Sequence, residues 1–168
     1  MFGKKATPEI QNYDFLINMI FCGYQGVGKS SICNRENGYI DFESSNFFVN
    51  EMRPNAWIDI YINQAVSLNE QGYDVFLSTH KALRDRLNEL NIDFTVITPS
   101  IDLKEQWIER LSNRYNNNPS LKNMKALKNA EECYEENVKD LCSESKVIMI
   151  TNADYDLKDC IIEYKGKF

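Results

Sequence analysis

Eight residues, Gly23 to Ser30 (G-Y-Q-G-V-G-K-S), restrict this chain more than any other stretch. They fit the spacing G-x-x-x-x-G-K-[ST], a phosphate-binding loop. Glycines let successive backbone N–H groups converge on a phosphate, and a helix starting at the loop adds the positive end of its dipole. Lys29 is then placed to reach the β- and γ-phosphates, and the Ser30 hydroxyl to sit on Mg²⁺. The stretch just ahead, Phe15 to Cys22 (F-L-I-N-M-I-F-C), is short, apolar and rich in β-formers, so a buried strand feeds the bend. The expected cradle is Gly23, Tyr24, Gln25, Gly26, Val27, Gly28, Lys29, Ser30 and Ser31, with ATP and Mg²⁺ as cofactors. A glycine turn with an incidental lysine is the bland alternative. The loop implies nucleotide binding and leaves the use of the nucleotide open.

Downstream, apolar runs and helical stripes alternate. Residues up to about Asp14 read as a loose polar arm. Gly38 to Glu43 is a second strand, and Asp41 and Glu43, two apart, point the same way on it. Ser44 to Arg53 is irregular and exposes Phe47 and Phe48. Pro54 opens a helix carrying Trp57, Ile58, Tyr61, Ile62, Ala65 and Leu68, which Gly72 stops. Tyr73 to Thr79 is the third strand, Lys81 to Leu90 a helix, and Phe94 to Ile97 the fourth strand. Asp102 with Glu105 predicts a capped start to the next helix, whose stripe is Leu103, Trp107, Leu111 and Tyr115. Asn116 to Pro119 breaks it. Ser120 caps a longer helix to about Cys142, with Leu121, Met124, Leu127, Tyr134, Val138 and Leu141 inward. Lys146 to Ile150 is the fifth strand, and Asp156 to Ile162 a last helix.

This alternation predicts an α/β chain: a three-layer P-loop NTPase fold with a five-stranded parallel sheet, helices on both faces and a short helical lid. At 168 residues a single domain, 1–168, is expected, with the lid at about 100–120 and an acceptor-binding region at about 44–72. Ligands of such sheets sit at the carboxyl ends of the strands.

Charge narrows the partners. The net charge of −6 and pI near 4.9 argue against a long nucleic-acid footprint while permitting a local basic pocket. The five cysteines are odd in number and form no C-x-x-C, which predicts reduced thiols in a cytoplasmic protein and no zinc site. No apolar stretch is long enough to span a membrane.

With these pieces placed, the chain resembles the P-loop kinases of nucleotides and small metabolites. Beside the loop, two further stretches carry the likeness. Val96 to Arg114 (V-I-T-P-S-I-D-L-K-E-Q-W-I-E-R-L-S-N-R) looks like the guanylate-kinase stretch in which a strand ends in a Pro-Ser turn and a lid helix carries two arginines four residues apart. Val147 to Leu157 (V-I-M-I-T-N-A-D-Y-D-L) is similar to the last strand of guanylate kinases and the Asn-Asp turn bordering the adenine. The chain departs from that family in two places. The interval Ser44 to Gly72 is short and helical where guanylate kinases carry a β-rich GMP-binding insert, so the acceptor is not presumed to be GMP. The third strand ends in Ser78-Thr79-His80 instead of the usual aspartate. Small P-loop kinases of the shikimate type place a carboxylate at the end of strand two, where Asp41 and Glu43 lie. Ser78 to Leu87 looks loosely like the strand-three exit of gluconate-type kinases, and the whole pattern resembles kinase-like proteins of phages and their hosts.

The resemblance implies roles. Arg110 and Arg114, one helical turn apart, would close onto the transferred phosphoryl group; the alternative is a solvated face paired with nearby acids such as Glu109. Asp41 and Glu43 would hold the Mg²⁺ water shell or orient the acceptor as a base, or be a polar strand end, and which of the two matters more stays open. Arg53, Lys81 and Arg84 are candidates for an acceptor phosphate, against plain surface charge. His80 either hydrogen-bonds the acceptor or is structural. Phe47 is a stacking candidate for an acceptor base. Trp57 and Tyr61 at helical spacing are more often core. Asn152 and Tyr155 border the adenine by resemblance alone. Lys122, Lys125 and Lys128 are a solvated face or hold phosphates on closure.

The activity implied is ATP- and Mg²⁺-dependent phosphoryl transfer to a (deoxy)nucleoside monophosphate. The alternatives are a 5′-hydroxyl polynucleotide or small-metabolite acceptor and, in another class, a nucleotide-dependent switch or assembly ATPase. The partners expected are ATP and a small phosphate acceptor, with no membrane.

Overall fold

The computed structural model describes residues 17–44 and 56–168. The expected arm up to Asp14, the residues Phe47, Phe48 and Arg53, and Pro54 as the opening of a helix lie outside the described residues. The elements run β1 (Ile20–Gly23), α1 (Lys29–Arg35), β2 (Tyr39–Asp41), α2 (Trp57–Glu70), β3 (Asp74–Leu77), α3 (Lys81–Glu89), β4 (Thr95–Pro99), α4 (Lys104–Asn117), α5 (Leu121–Cys142), β5 (Val147–Ile150) and α6 (Leu157–Lys165), with a 3₁₀ turn at Ile101–Leu103 before α4.

All five strands pair in parallel, in the order β2-β3-β1-β4-β5. Central β1 is buried at every position, as is β3, which explains why their apolar residues show no alternation; the charged residue of β3, Asp74, is buried against Lys165. Phe21 and Phe76 stack across β1 and β3 with ring centroids 5.4 Å apart. Helices cover both sides: α2 packs on β1 and β3, α5 on β4, α1 on β2, and α6 on β5 and α1. Register aligns the strand exits. Gly23 pairs with Ile97, Cys22 with Leu77, Asp41 with Phe76, and Pro99 with Ile150. The glycine bend, Asp41, Ser78–His80 and Ser100 therefore share one edge of the sheet.

Three local expectations are corrected. The first strand begins at Ile20; the Met19 N–H is taken by the Asp74 carboxylate at 2.6 Å, so the regular ladder starts one residue later. Asp102 does not cap α4. It is exposed within the 3₁₀ turn, where the Leu103 N–H bonds to the Ser100 carbonyl and tightens the entry without a side chain. Ser120 does cap α5, accepting from the Asn123 N–H. The inward stripe of α5, however, passes through Asn123, Ala126, Ala130, Tyr134, Val138 and Leu141, while Leu121 and Met124 are 62% and 41% exposed. The helix is kinked at Cys133 (φ −134°), and ahead of the kink a period of 3.6 residues counted back from Ala130 puts Ala126 and Asn123, and not Leu121, on the buried side. Two alanines on that side suit a close approach of α4, the helix with which α5 packs most extensively.

Candidate phosphate loop and adjoining cleft

The loop leaves β1 at Gly23 and returns as α1 at Lys29. Gly26 and Gly28 have φ of +85° and +106°, a region that an L side chain rarely adopts. A Cβ on Gly26 would also lie 3.1 Å from the Trp107 indole nitrogen and 3.2 Å from Leu111. The crowding there has a cause. The Trp107 indole N–H donates to the Gln25 carbonyl at 2.8 Å, Arg110 Nη1 to the Gly26 carbonyl at 3.0 Å, and the Tyr155 hydroxyl to the Val27 carbonyl at 2.6 Å. Three successive loop carbonyls are thus drawn to one side by side chains from α4 and from the segment after β5. In a planar trans peptide the N–H points opposite to the C=O, so the amides of Gly26, Val27 and Gly28 are turned to the other side. The Val27 N–H is engaged by the Tyr24 carbonyl at 3.2 Å, so the amides of Gly26 and Gly28 are the ones turned toward an anion, which convergent amides attract.

Arg110 is the hub of this brace. Its guanidinium also donates to the Tyr155 hydroxyl at 2.8 Å and the Ala153 carbonyl at 3.0 Å, and lies 4.2 Å over the Trp107 ring. The Trp107 and Tyr155 rings stack nearly parallel, at 15° and 6.0 Å. Arg110→Ala is expected to lower affinity for a non-hydrolysable ATP analogue by about tenfold, the scale of losing charge-assisted hydrogen bonds, with secondary structure retained. Fluorescence titration checks it, and unchanged affinity would separate the brace from anion binding.

Inside the loop, Lys29 Nζ donates to the Gly23 carbonyl at 2.9 Å. Withdrawal from solvent lowers its pKa below the usual 10.5, against the opposing fields of Asp41 and Glu43. The Ser30 hydroxyl donates to Asp41 at 2.9 Å, because α1 packs on β2 and brings helix start and strand end together. Among the described residues no group of three or more His, Cys, Asp or Glu side chains forms a metal cage. One hydroxyl beside one carboxylate is a donor set that fits Mg²⁺, which takes oxygen ligands, keeps several waters and shares itself with substrate phosphates. The thiols do not compete for such chemistry. Burial pushes Cys22, under the loop, and Cys33, on α1, up to about 12, so both stay protonated at neutral pH.

A cleft of about 1140 Å³ opens beside the loop, walled by Gly23–Gln25 and Lys29, by Glu43 and Ser44 after β2, by Ser78–Lys81 and Arg84 after β3, and by the flank of α5. It is at or above the top of the range for small-molecule sites.

The cleft sorts the basic candidates. Arg84 is buried, donates to the Thr79 carbonyl and is paired with both Asp140 and Glu144, tying α3 to the end of α5. Lys81 is paired with Asp85 one turn on. Glu43 is paired with Lys122 across the cleft mouth, whereas Asp41 faces Ser30, so the two carboxylates have different neighbours. His80 lies beside Ser44, with Nε2 3.4 Å from its hydroxyl, and edge-on to Trp57. Tyr61 is core, its hydroxyl bonded to the Phe42 carbonyl. Arg114 lines the cleft; Arg110 does not, being held at the loop's outer side. The structure therefore does not bring the two arginines onto one point. Asn152 is exposed and accepts from the Asp154 N–H, forming the turn that presents Tyr155. Helical spacing marks Trp107 as core alone and carries no signal for Asn123. The usable signal for Trp107 was its place one turn ahead of Arg110.

No protein-family profile matches the chain, and no curated protein sequence does. Among solved structures it is similar to the tunicamycin resistance protein of Deinococcus radiodurans, with a TM-score of 0.50 and 14% identity over 89% of this chain and 95% of that one. The fold is P-loop NTPase-like. At that identity the likeness shows a shared fold alone and does not single out guanylate kinases. Among the described residues no helix is long and apolar enough to cross a membrane.

Proposed function

We propose that this protein is an ATP- and Mg²⁺-dependent phosphotransferase acting on a small acceptor, with a (deoxy)nucleoside monophosphate as first candidate. The observation that carries the reading is a loop with its carbonyls tied outward, opening directly into a cleft large enough for a second substrate. Phosphoryl transfer needs little covalent help from protein; it needs two substrates in line and positive charge around the moving group. The loop amides and Lys29 would hold the β- and γ-phosphates. Ser30 and Asp41 would hold Mg²⁺, which when bound neutralises charge on those phosphates. Asn152 and Tyr155 would border the adenine.

The test is a panel of nucleoside monophosphates, phosphorylated and free hydroxyl metabolites and a 5′-hydroxyl oligonucleotide, offered with γ-labelled ATP and Mg²⁺. Label reaching one acceptor supports the reading, and ATP hydrolysis indifferent to every acceptor counts against it. Asp41→Asn is expected to raise the Mg²⁺ concentration needed for half-maximal rate by about tenfold or more, the scale of altering a metal's protein shell. An unaltered Mg²⁺ dependence would remove Asp41 from the metal site.

A second reading gives an alcohol as acceptor. It is favoured by the Glu43 carboxylate at the cleft edge, since an alcohol needs a base and a phosphate acceptor does not. The named resistance function of the structural neighbour is compatible with a small-molecule acceptor of this kind.

A further inference from the structure

The cations lining the cleft are not equivalent. Lys81 and Lys122 each have a carboxylate partner and Arg84 has two. Lys29 is folded onto its own loop. Arg114 and Lys125 differ: among the described residues neither is paired with a carboxylate, and both line the cleft, Arg114 from α4 and Lys125 from α5. Arg114 is held by its Nε alone, which donates to Asn123 Oδ1 at 2.8 Å. Its two terminal Nη groups, the ends of the fork that grips oxyanions, make no hydrogen bond with a described residue.

Asn123 is built for this duty. It is 6% exposed, on the first turns of α5. Its Nδ2 donates to the Asn118 carbonyl at 2.8 Å and its backbone N–H to the Ser120 hydroxyl at 3.1 Å. With the amide nitrogen so engaged, the Oδ1 is oriented at Arg114. A neutral acceptor fixes the guanidinium without neutralising it, which a carboxylate in that place would do. A chain with net charge −6 that leaves Arg114 and Lys125 without a carboxylate partner among the described residues of this cleft has a reason to expect an anion there.

We infer that Arg114 and Lys125 form the site for an anionic group of the acceptor, a phosphate monoester or its like, and that Asn123 is the positioning residue for Arg114. This rests on the proposed reading of the cleft as the acceptor side. It moves acceptor recognition away from Lys81 and Arg84, whose charge is spent within the protein. Leu121, exposed and also lining the cleft, offers apolar surface to the rest of the molecule.

The full chain, with and without saturating ADP and Mg²⁺, is titrated by calorimetry with inorganic phosphate and with matched pairs: nucleoside 5′-monophosphates against nucleosides, and sugar phosphates against sugars. Phosphorylated members are expected to bind at least about tenfold tighter than their uncharged partners, the scale of charge-assisted hydrogen bonds. Arg114→Gln and Lys125→Gln are each expected to erase most of that difference. Asn123→Asp retains the acceptor for Nε yet is expected to weaken the anion as much as Arg114→Gln, an effect that a merely structural role would not produce. If Asn123→Asp fails to fold, the two surface-facing variants carry the test alone. Equal binding of charged and uncharged members, no binding of any phosphorylated member, or full binding by Arg114→Gln overturns the inference. ADP that binds normally while the anion does not sinks this inference alone; an anion that binds while ADP does not sinks the proposed function alone.

Discussion

Lys29→Ala is expected to lower phosphoryl transfer by about 10²–10³-fold, the scale of removing one preorganised charge from a transition state, with the fold retained. The ammonium sits at the mouth of the loop, withdrawn from solvent and 2.9 Å from the Gly23 carbonyl. It is there before any phosphate arrives, so no reorganisation is needed when charge moves. Burial lowers its pKa, and a phosphate in the loop favours the protonated form. Affinity for the nucleotide should therefore fall as pH rises through the lysine's depressed pKa, short of the ordinary 10.5. Stability of the free protein has the opposite sign. Between the depressed folded value and 10.5 the unfolded chain binds more protons, so stability attributable to Lys29 rises with pH through that window. Both slopes should vanish in Lys29→Ala. Undiminished turnover in that variant would mean that the reaction does not run through this loop.

Lys165→Met is expected to destabilise the fold by about 3–5 kcal/mol, the scale of breaking a buried ion pair from one side. For a chain of this size that is about 6–20 °C in Tm. Lys165 and Asp74 are 7% and 4% exposed, and Nζ lies 2.6 Å from Oδ2. Methionine keeps the apolar stem and leaves the Asp74 carboxylate buried with, among the described residues, the Met19 N–H as its remaining partner. Asp74→Asn combined with Lys165→Met should recover much of the loss, because no uncompensated charge remains. The pair joins the start of β3 to the end of α6, at the opposite edge of the sheet from the loop. The single variant should thus lower Tm while leaving nucleotide affinity near that of the parent at low temperature. A Tm within about 2 °C of the parent would show that the pair is not effectively buried.

Much of the fold could be read in advance because its signals are local. The apolar run ahead of the glycine bend and the Tyr73–Thr79 stretch contain β1 and β3, although β1 starts only at Ile20. Ser120 was legible as a cap because one hydroxyl and one N–H three residues on suffice. Phase was harder: the apolar Leu121 and Met124 suggested one face of α5, and the packing of Ala126 and Ala130 selected another. Asp102 looked like a cap, but the hydrogen bond from Leu103 to Ser100 had already closed that turn.

The site divides along the same line. The eight residues of the loop determine by themselves that a phosphate cradle can form, since its glycines, lysine and serine act on atoms of their own segment. The neighbours of that cradle come from far along the chain. Trp107, Arg110 and Tyr155 reach its carbonyls only after α4 and the exit of β5 have packed around it. Asp41 meets Ser30 only because α1 lies on β2. Whether a cation in the cleft is free or already neutralised depends on partners as distant in sequence as Arg84 from Glu144 and Lys122 from Glu43. Residue spacing specifies which groups share a face of one element; what stands opposite that face is settled by packing, whose contacts join residues the chain order leaves far apart.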